Sequence, residues 1–333
     1  MAELRRGGFS GMLRPGTAFR REASMDIGFV GLGVMGAPMA THLAQAGHRL
    51  TLLDANASVT RSLAERLGHA AVAATTPREV AARSEVVITM LPNGQVVQQV
   101  ALGQDGLVEG LRRGAILLDT SSCEPWLTEQ TGEALGKRGA AMVDAPVSGA
   151  AWGAQEAKLV FMVGGADDDV ARIRPLLDVM GRAVFHLGGL GCGHAMKCIN
   201  NCITAVTLAN TAEGLVAGKR YGLDPKVMVD VLNESTGGSW ITQTHFHQRV
   251  FSRSFDDPFK LELMLKDMGI ALDLARETAT PAPLWGLGQQ LWRMADHAAG
   301  PGASVSELVR WVERQSGTEL TPGPAPRQGS GSH

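Results

Sequence analysis

The stretch DIGFVGLGVMGAPMATHLAQAGHRLTLLD, Asp26 to Asp54, constrains the fold more than any other part of the chain. "IGFV" reads as a short apolar strand, and Gly31, Gly33 and Gly36 follow it as G-x-G-x-x-G. "APMATHLAQAG" continues as a helix closed by Gly47, and "RLTLLD" is a second strand ending on Asp54, eighteen positions past Gly36. Each part has a physical task. Gly31 permits a tight turn, Gly33 lets backbone approach a pyrophosphate, and Gly36 lets helix and strand pack closely. With Leu32, Val34 and Met35 between them, these glycines form one candidate cofactor loop. The helix start offers free N–H groups and partial positive charge to the anion. Asp54 is placed to accept hydrogen bonds from ribose hydroxyls and to repel a 2′-phosphate. That favours NAD, while nearby Arg61 leaves NADP open.

Alternation of strand and helix continues beyond this window. "EVVITMLP" (85–92), "AILLDTSSCEP" (115–125), "AAMVDAPVSGA" and "KLVFMVGG" read as further strands. The expected fold class is α/β: a doubly wound, mostly parallel Rossmann sheet with its ligand at the carboxyl ends of the strands. Leu91–Pro92 and Thr120–Ser122 lie at such ends. After Gly193 strand signals stop. A helical pattern without proline runs from Ala195 to Lys219, with Ile199, Ile203, Val206 and Leu215 as its apolar positions. Proline and glycine separate three further helices, and "SVSELVRWVERQ" is a last amphipathic one with Val305, Leu308, Val309 and Val312 inward. The expected organisation is an extension at 1–24, a nucleotide-binding domain at 25–190, an all-helical domain at 191–316 and a tail at 317–333.

The ends are compositionally distinct. Residues 1–24 carry five arginines and two acidic residues, an arginine excess reminiscent of a transit peptide, but "MDIGFVGLG" from Met25 reads as a protein start. Both this segment and "TPGPAPRQGSGSH" are expected to be disordered. A net charge of −2 supplies no electrostatic reason for nucleic acid or an anionic membrane as partner. No apolar run approaches the ~18 residues of a membrane span, and a cytoplasmic location is expected. Cys123, Cys192, Cys198 and Cys202 form no C-x-x-C pair and read as small buried thiols. His194, Cys198 and Cys202 share a helical stripe, but positions eight apart lie about 12 Å apart along the axis. They cannot meet at one ion, so no metal is expected. His245 and His247, two apart, face different ways on a helix.

"GCGHAMKCINN", 191–201, places Lys197 in the first turns of the long helix, with Asn200 and Asn201 three and four residues on. Lysine is costly to bury. This helix starts where the nucleotide-binding domain ends, so Lys197 is the one strong candidate base at the domain junction.

Four ordered motifs, "GLGVMGAPMATHLAQAGH", "DAPVSGAAWGA", "GCGHAMKCINN" and "KDMGIALDLA", make the chain from Met25 to about Arg314 resemble the β-hydroxyacid dehydrogenases. That family includes 3-hydroxyisobutyrate dehydrogenase and tartronate semialdehyde reductase and is related to 6-phosphogluconate dehydrogenase. The resemblance implies roles. Leu91, Pro92 and Ser122 would line the cofactor, and Lys266 would reach back to it from the helical domain. Ser148 and Gly149 would bind the substrate carboxylate, with Ala150 beside them. Lys197 would transfer the proton, Asn201 would hold the substrate near it, and Trp240, in "GGSW", would lie near the substrate. Ala150 stands where many members have a second glycine, and Ser122 where threonine is usual. With Trp152, these departures bear on substrate identity rather than on reaction type.

The implied activity is NAD-dependent oxidation of a small 3-hydroxy acid, or reduction of the matching semialdehyde, with a small carboxylate as substrate. An NADPH-linked glyoxylate or succinic semialdehyde reductase is the alternative. A degenerate dehydrogenase kept as a binding scaffold would show damage at the lysine or the glycines, and neither is damaged. The apolar surface of an all-helical domain also predicts a homodimer or homotetramer through that half.

Overall fold

The structure, a computed structural model, describes residues 24–323. β1 (Asp26–Val30), β2 (Arg49–Leu53), β3 (Ala71–Ala73), β4 (Val86–Thr89), β5 (Ile116–Asp119) and β6 (Ala141–Asp144) pair in parallel in the order β3-β2-β1-β4-β5-β6. β7 (Val147–Ser148) and β8 (Leu159–Gly164) turn antiparallel, and β9 (Gly181–Gly188) runs parallel to β8. Successive side chains of a strand point to opposite faces. Phe29, Ile88 and Leu118 accordingly enter one core with α1 (Gly36–Gln45) and α8 (Asp167–Met180). Val30, Val87 and Leu117 enter another, beneath α4 (Gly94–Leu102) and α6 (Pro125–Gly136). Burial on both faces is why these strands read as unbroken apolar runs. Strand order reverses between β1 and β4, which opens a crevice at their carboxyl ends. The sequence carried no clear signal for β3 and β9: β3 has three residues, and every residue of β9 is half-exposed or exposed.

α9 (Cys192–Tyr221) begins the helical half and is 30 residues long, about 45 Å at 1.5 Å per residue. α10 (Pro225–Asn233), a π-helical segment (Ile241–Val250), α11 (Leu261–Glu277), α12 (Pro283–Ala299) and α13 (Glu307–Ser316) complete it. Of the expected positions Leu215 is buried and Ile199 and Val206 are partly buried against the core of this half, but the most buried stripe of α9 is centred elsewhere. It runs through Cys198, Cys202, Ala205, Ala209, Ala212 and Leu215, whereas Ile203 is 52% exposed. Most of these residues are small, which lets α11, α12 and α13 approach α9 closely, while Leu208, Leu215 and Val216 enter the same core. Val305, Leu308 and Val309 do point inward, with Val312 half-buried against the same core.

Two further differences concern the thiols and the tail. Cys123, Cys198 and Cys202 are buried, but Cys192, in the first turn of α9, is exposed. Residues 317–323 of the expected tail are held by the helical half. Leu320 is fully buried, its N–H donates to Glu313 Oε1, and the Lys219 ammonium donates to the carbonyls of Thr321 and Gly323. The remainder of the tail and the extension up to residue 23 lie outside the described residues. No helix among those described is long and apolar enough to cross a membrane.

Candidate active site

The glycine loop leaves β1 at the point where the strand order reverses. Gly31 has φ of +96°, and a Cβ there would strike the Met90 carbonyl at the end of β4. At Gly36 a Cβ would strike the Gly31 carbonyl, so α1 can start this close to β1 only with glycine. Gly33, in contrast, is exposed, with no atom within 4 Å of an added Cβ. Two glycines are thus demanded by packing and the third keeps the outer side of the loop clear, as a dinucleotide pyrophosphate requires. Val34 is exposed, Met35 half-buried and Leu32 buried beneath them. Asp54 does more than its strand-end position promised. Its Oδ2 accepts from Leu32 N at 2.7 Å and its Oδ1 from Asn56 N at 2.8 Å, so its carboxylate shapes the glycine loop.

The loops after β4 and β5 meet α11. Leu91 N donates to Ser121 Oγ at 2.9 Å. Lys266, on α11, donates to the carbonyls of Pro92 (3.3 Å) and Ser122, and Ser122 Oγ donates to Asp267 Oδ1 at 2.9 Å. On α9, Lys197 Nζ donates to Asn201 Oδ1 at 3.2 Å, and Asn201 Nδ2 donates to Asp267 Oδ2 at 2.6 Å. Pro92, Ser122, Lys197, Asn201 and Lys266 therefore converge on one junction between the halves. Asp267, 1% exposed, sits at its centre. Asn200 also contributes, its Nδ2 donating to Asn201 Oδ1 at 3.1 Å.

Burial lowers the pKa of Lys197. The Asp267 carboxylate opposes that effect and the Lys266 ammonium adds to it. Burial likewise pushes the Cys198 thiol up to about 12, helped by Asp267.

Ser148 ends β7, and Gly149 (φ +133°) and Ala150 (φ +53°) turn the chain into α7 (Ala150–Gln155). Trp240, 58% exposed, precedes the π-helical segment. Neither this turn nor Trp240 shares a hydrogen bond with Lys197 or Asn201 among the described residues.

A second, fully buried polar cluster docks the start of α9. Asp144, closing β6, accepts from Gly191 N and His194 N, both at 2.7 Å. Gly193 lies against the Met162 carbonyl, where a Cβ would not fit. His194 Nδ1 meets Thr128 Oγ1 at 2.8 Å and its Nε2 meets Ser121 O at 3.2 Å. Asp119 accepts from Thr89 Oγ1, Ser121 N and Cys123 Sγ. Ligand atoms of Asp119, Cys123 and His194 lie within 4.8 Å of one another. Burial raises the Cys123 pKa well above its ordinary value, so this thiol stays protonated and its hydrogen is shared with Asp119. These hydrogen bonds tie the start of α9 to the ends of β5 and β6.

Sequence reasoning missed Asp119, Asp144 and Asp267. The first two carried a signal: a single acid closing an apolar strand, in "AILLD" and "AAMVD". The third adjoins Lys266 in "KDM".

Comparison with known proteins gives the family. Residues 26–188 match the family model of the NAD binding domain of 6-phosphogluconate dehydrogenase. Residues 191–312 match that of the NAD-binding domain of NADP-dependent 3-hydroxyisobutyrate dehydrogenase. The chain is 36% identical to 3-hydroxyisobutyrate dehydrogenase of Pseudomonas aeruginosa over 86% of its own length and 98% of that protein's. It is 37% identical to an NAD-dependent L-serine dehydrogenase of the same organism, covering 81% of this chain and 91% of that one. Among solved structures, Mycobacterium tuberculosis 3-hydroxyisobutyrate dehydrogenase with L-serine superposes with a TM-score of 0.79 at 32% identity, covering 87% and 99% of the two chains. The chain belongs to the β-hydroxyacid dehydrogenases and is an NAD(P)-dependent oxidoreductase of that family.

Proposed function

We propose that the chain oxidises a small 3-hydroxy acid, of the size of 3-hydroxyisobutyrate or serine, or reduces the matching semialdehyde, with Lys197 moving the proton. The observation that carries this reading is the position of Lys197 Nζ. It is half-buried at the junction of the halves, 3.2 Å from Asn201 Oδ1 and beside the Ser122–Lys266 contact that borders the cofactor loops.

Gly31, Gly33, Gly36, Asp54, Leu91, Pro92, Ser122 and Lys266 would hold NAD, which supplies the hydride acceptor. Asp54 favours NAD, and NADP is the second choice. Neutral Lys197 takes the substrate hydroxyl proton as the carbonyl forms, and in the reductive direction the ammonium returns it. Asn201 has two amide hydrogens; Asp267 uses one, and the other serves the substrate oxygen. Ser148 and the backbone N–H groups of Gly149 and Ala150 would take the carboxylate, and Trp240 would cover it. The helical half would join a second copy as a homodimer or homotetramer, and the cytoplasm would be the place of action.

Because burial lowers its pKa, Lys197 loses its proton below the ordinary lysine value of about 10.4. Oxidative kcat/KM should rise with pH along a limb centred below that value. Lys197→Ala should abolish NADH formation, by 100-fold or more on the order expected for a general base, and leave NAD binding near wild type. The assay is absorbance over a panel of 3-hydroxy acids and semialdehydes, with NADP(H) in parallel. Substantial turnover by Lys197→Ala would remove the lysine from the mechanism.

A further inference from the structure

We propose that Asp267 is a positioning residue that fixes which way the Asn201 amide faces, and through it how Lys197 is held. The inference rests on the reading of Lys197 as the proton-transfer residue.

A carboxylate only accepts hydrogen bonds, so the group that Asn201 turns toward Asp267 must be its NH2. The 2.6 Å contact from Asn201 Nδ2 to Asp267 Oδ2 therefore forces Asn201 Oδ1 to the other side, where Lys197 Nζ and Asn200 Nδ2 donate to it. Flipped, the amide would set NH2 against the Lys197 ammonium, donor against donor. Asp267 is itself fixed from the nucleotide-binding half by Ser122, whose Oγ donates to its Oδ1 at 2.9 Å, and the neighbouring Lys266 Nζ on α11 lies 3.4 Å from the same oxygen. One buried carboxylate thus ties the cofactor-side loop, the amide and the lysine into one arrangement across the two halves.

The same carboxylate is the group that holds the proton on Lys197 against burial. Among the described residues, the charged and titratable groups around the pair are Asp267 and Lys266 on α11 and Cys198 on α9; Asp119, closing β5, and Cys123 and Glu124 after it lie beyond them. Among the described residues, Asp267 is the acid whose charge acts on Lys197.

Asp267→Asn keeps the shape and an acceptor but removes the charge. Two readouts separate the proposal from the function. Competitive labelling with acetic anhydride, read by mass spectrometry across pH, reports the proton affinity of Lys197 without turnover. The oxidative kcat/KM profile reports the catalytic group. In Asp267→Asn the labelling midpoint should fall by about one unit, and the rising limb of kcat/KM should move down with it. Asp267→Ala, which frees the amide to flip, should lower kcat at least 10-fold while KM for NAD stays within a few-fold.

A kcat of Asp267→Ala equal to wild type overturns the orienting role, and a labelling midpoint within about 0.2 unit of wild type in Asp267→Asn overturns the hold on the Lys197 proton. A midpoint that falls while the kcat/KM limb stays put upholds Asp267 and overturns Lys197 as the proton-transfer group. Should Asp267→Asn fail a cooperative melt, Asp267→Ser is read by the same labelling, with the same downward shift expected and no shift overturning.

Discussion

Ala150 is the residue at which backbone and side chain disagree. Its φ of +53° is the left-handed region, entered directly from Gly149 at +133°. A Cβ in that region costs roughly 1–2 kcal/mol. Glycine would relieve the clash, but it adds about 0.4–1 kcal/mol of unfolded-chain entropy to be lost on folding. Ala150→Gly should therefore stabilise the protein by a net ~0.5–1 kcal/mol, read as a higher urea midpoint with an unchanged slope. A lower midpoint would mean that the methyl makes contacts worth more than the strain. Because the turn follows Ser148, the same variant should alter KM for the carboxylate substrate more than KM for NAD. The resemblance marked position 150 as a departure from glycine, and the backbone explains what glycine would have relieved there. Asp267 was illegible for a different reason. Its partners Asn201 and Ser122 lie 66 and 145 positions away, and no spacing rule links residues so far apart. Lys197 and Asn201 were legible because an i, i+4 pair on a helix is a local geometry.

At the scale of the element, α9 matters most, because it carries Lys197. Its N-cap, Gly191, has no side chain to offer, and the cap comes instead from Asp144 on β6, 47 residues earlier. The glycines of "GCGH" announced that a helix begins, but not what closes its open N–H groups. Asp144→Asn keeps one good acceptor for two buried donors, so one N–H is orphaned at a cost of ~1–3 kcal/mol. The pH dependence carries a sign. Burial raises the Asp144 pKa, and the nearby His194 and the two backbone donors only partly offset it. A carboxyl whose folded-state pKa lies above its unfolded value of about 3.9 contributes stability that is complete below that pH and is lost as pH rises through the folded-state pKa. The stability gap between wild type and Asp144→Asn, measured by urea unfolding from pH 4 to 8, should therefore narrow as pH rises. A widening gap would show that attraction between the carboxylate and the start of α9 outweighs its desolvation.

For the whole molecule, the sheet was legible almost throughout, because its strands are apolar on both faces and separated by turn signals. The helical half was harder. On α9 many inward residues are small, and although Phe246, Met268 and Trp292 fill the core, several other large apolar side chains of this half face out. On α12, Gly288, Gln289, Trp292 and Ala295 are buried. Leu284, Leu287 and Met294, on another face of the same helix, are 55–68% exposed. Val227 and Val231 repeat the pattern on α10, and Ile203 on α9. A helix apolar on both sides is normally covered on both, and exposed patches of this kind mark protein contacts. A second copy is the occupant we propose, since the proposed chemistry calls for no different partner. The protein should run on size-exclusion chromatography with light scattering at two or four times 35.1 kDa. Leu284→Glu combined with Leu287→Glu should shift it towards 35.1 kDa, because two carboxylates would have to be buried at the contact. Both positions are exposed in the single chain, so each subunit should keep its fold and its far-UV spectrum. A wild-type protein that is monomeric at micromolar concentration would remove this assembly, and a double variant with unchanged mass would move the contact to another face.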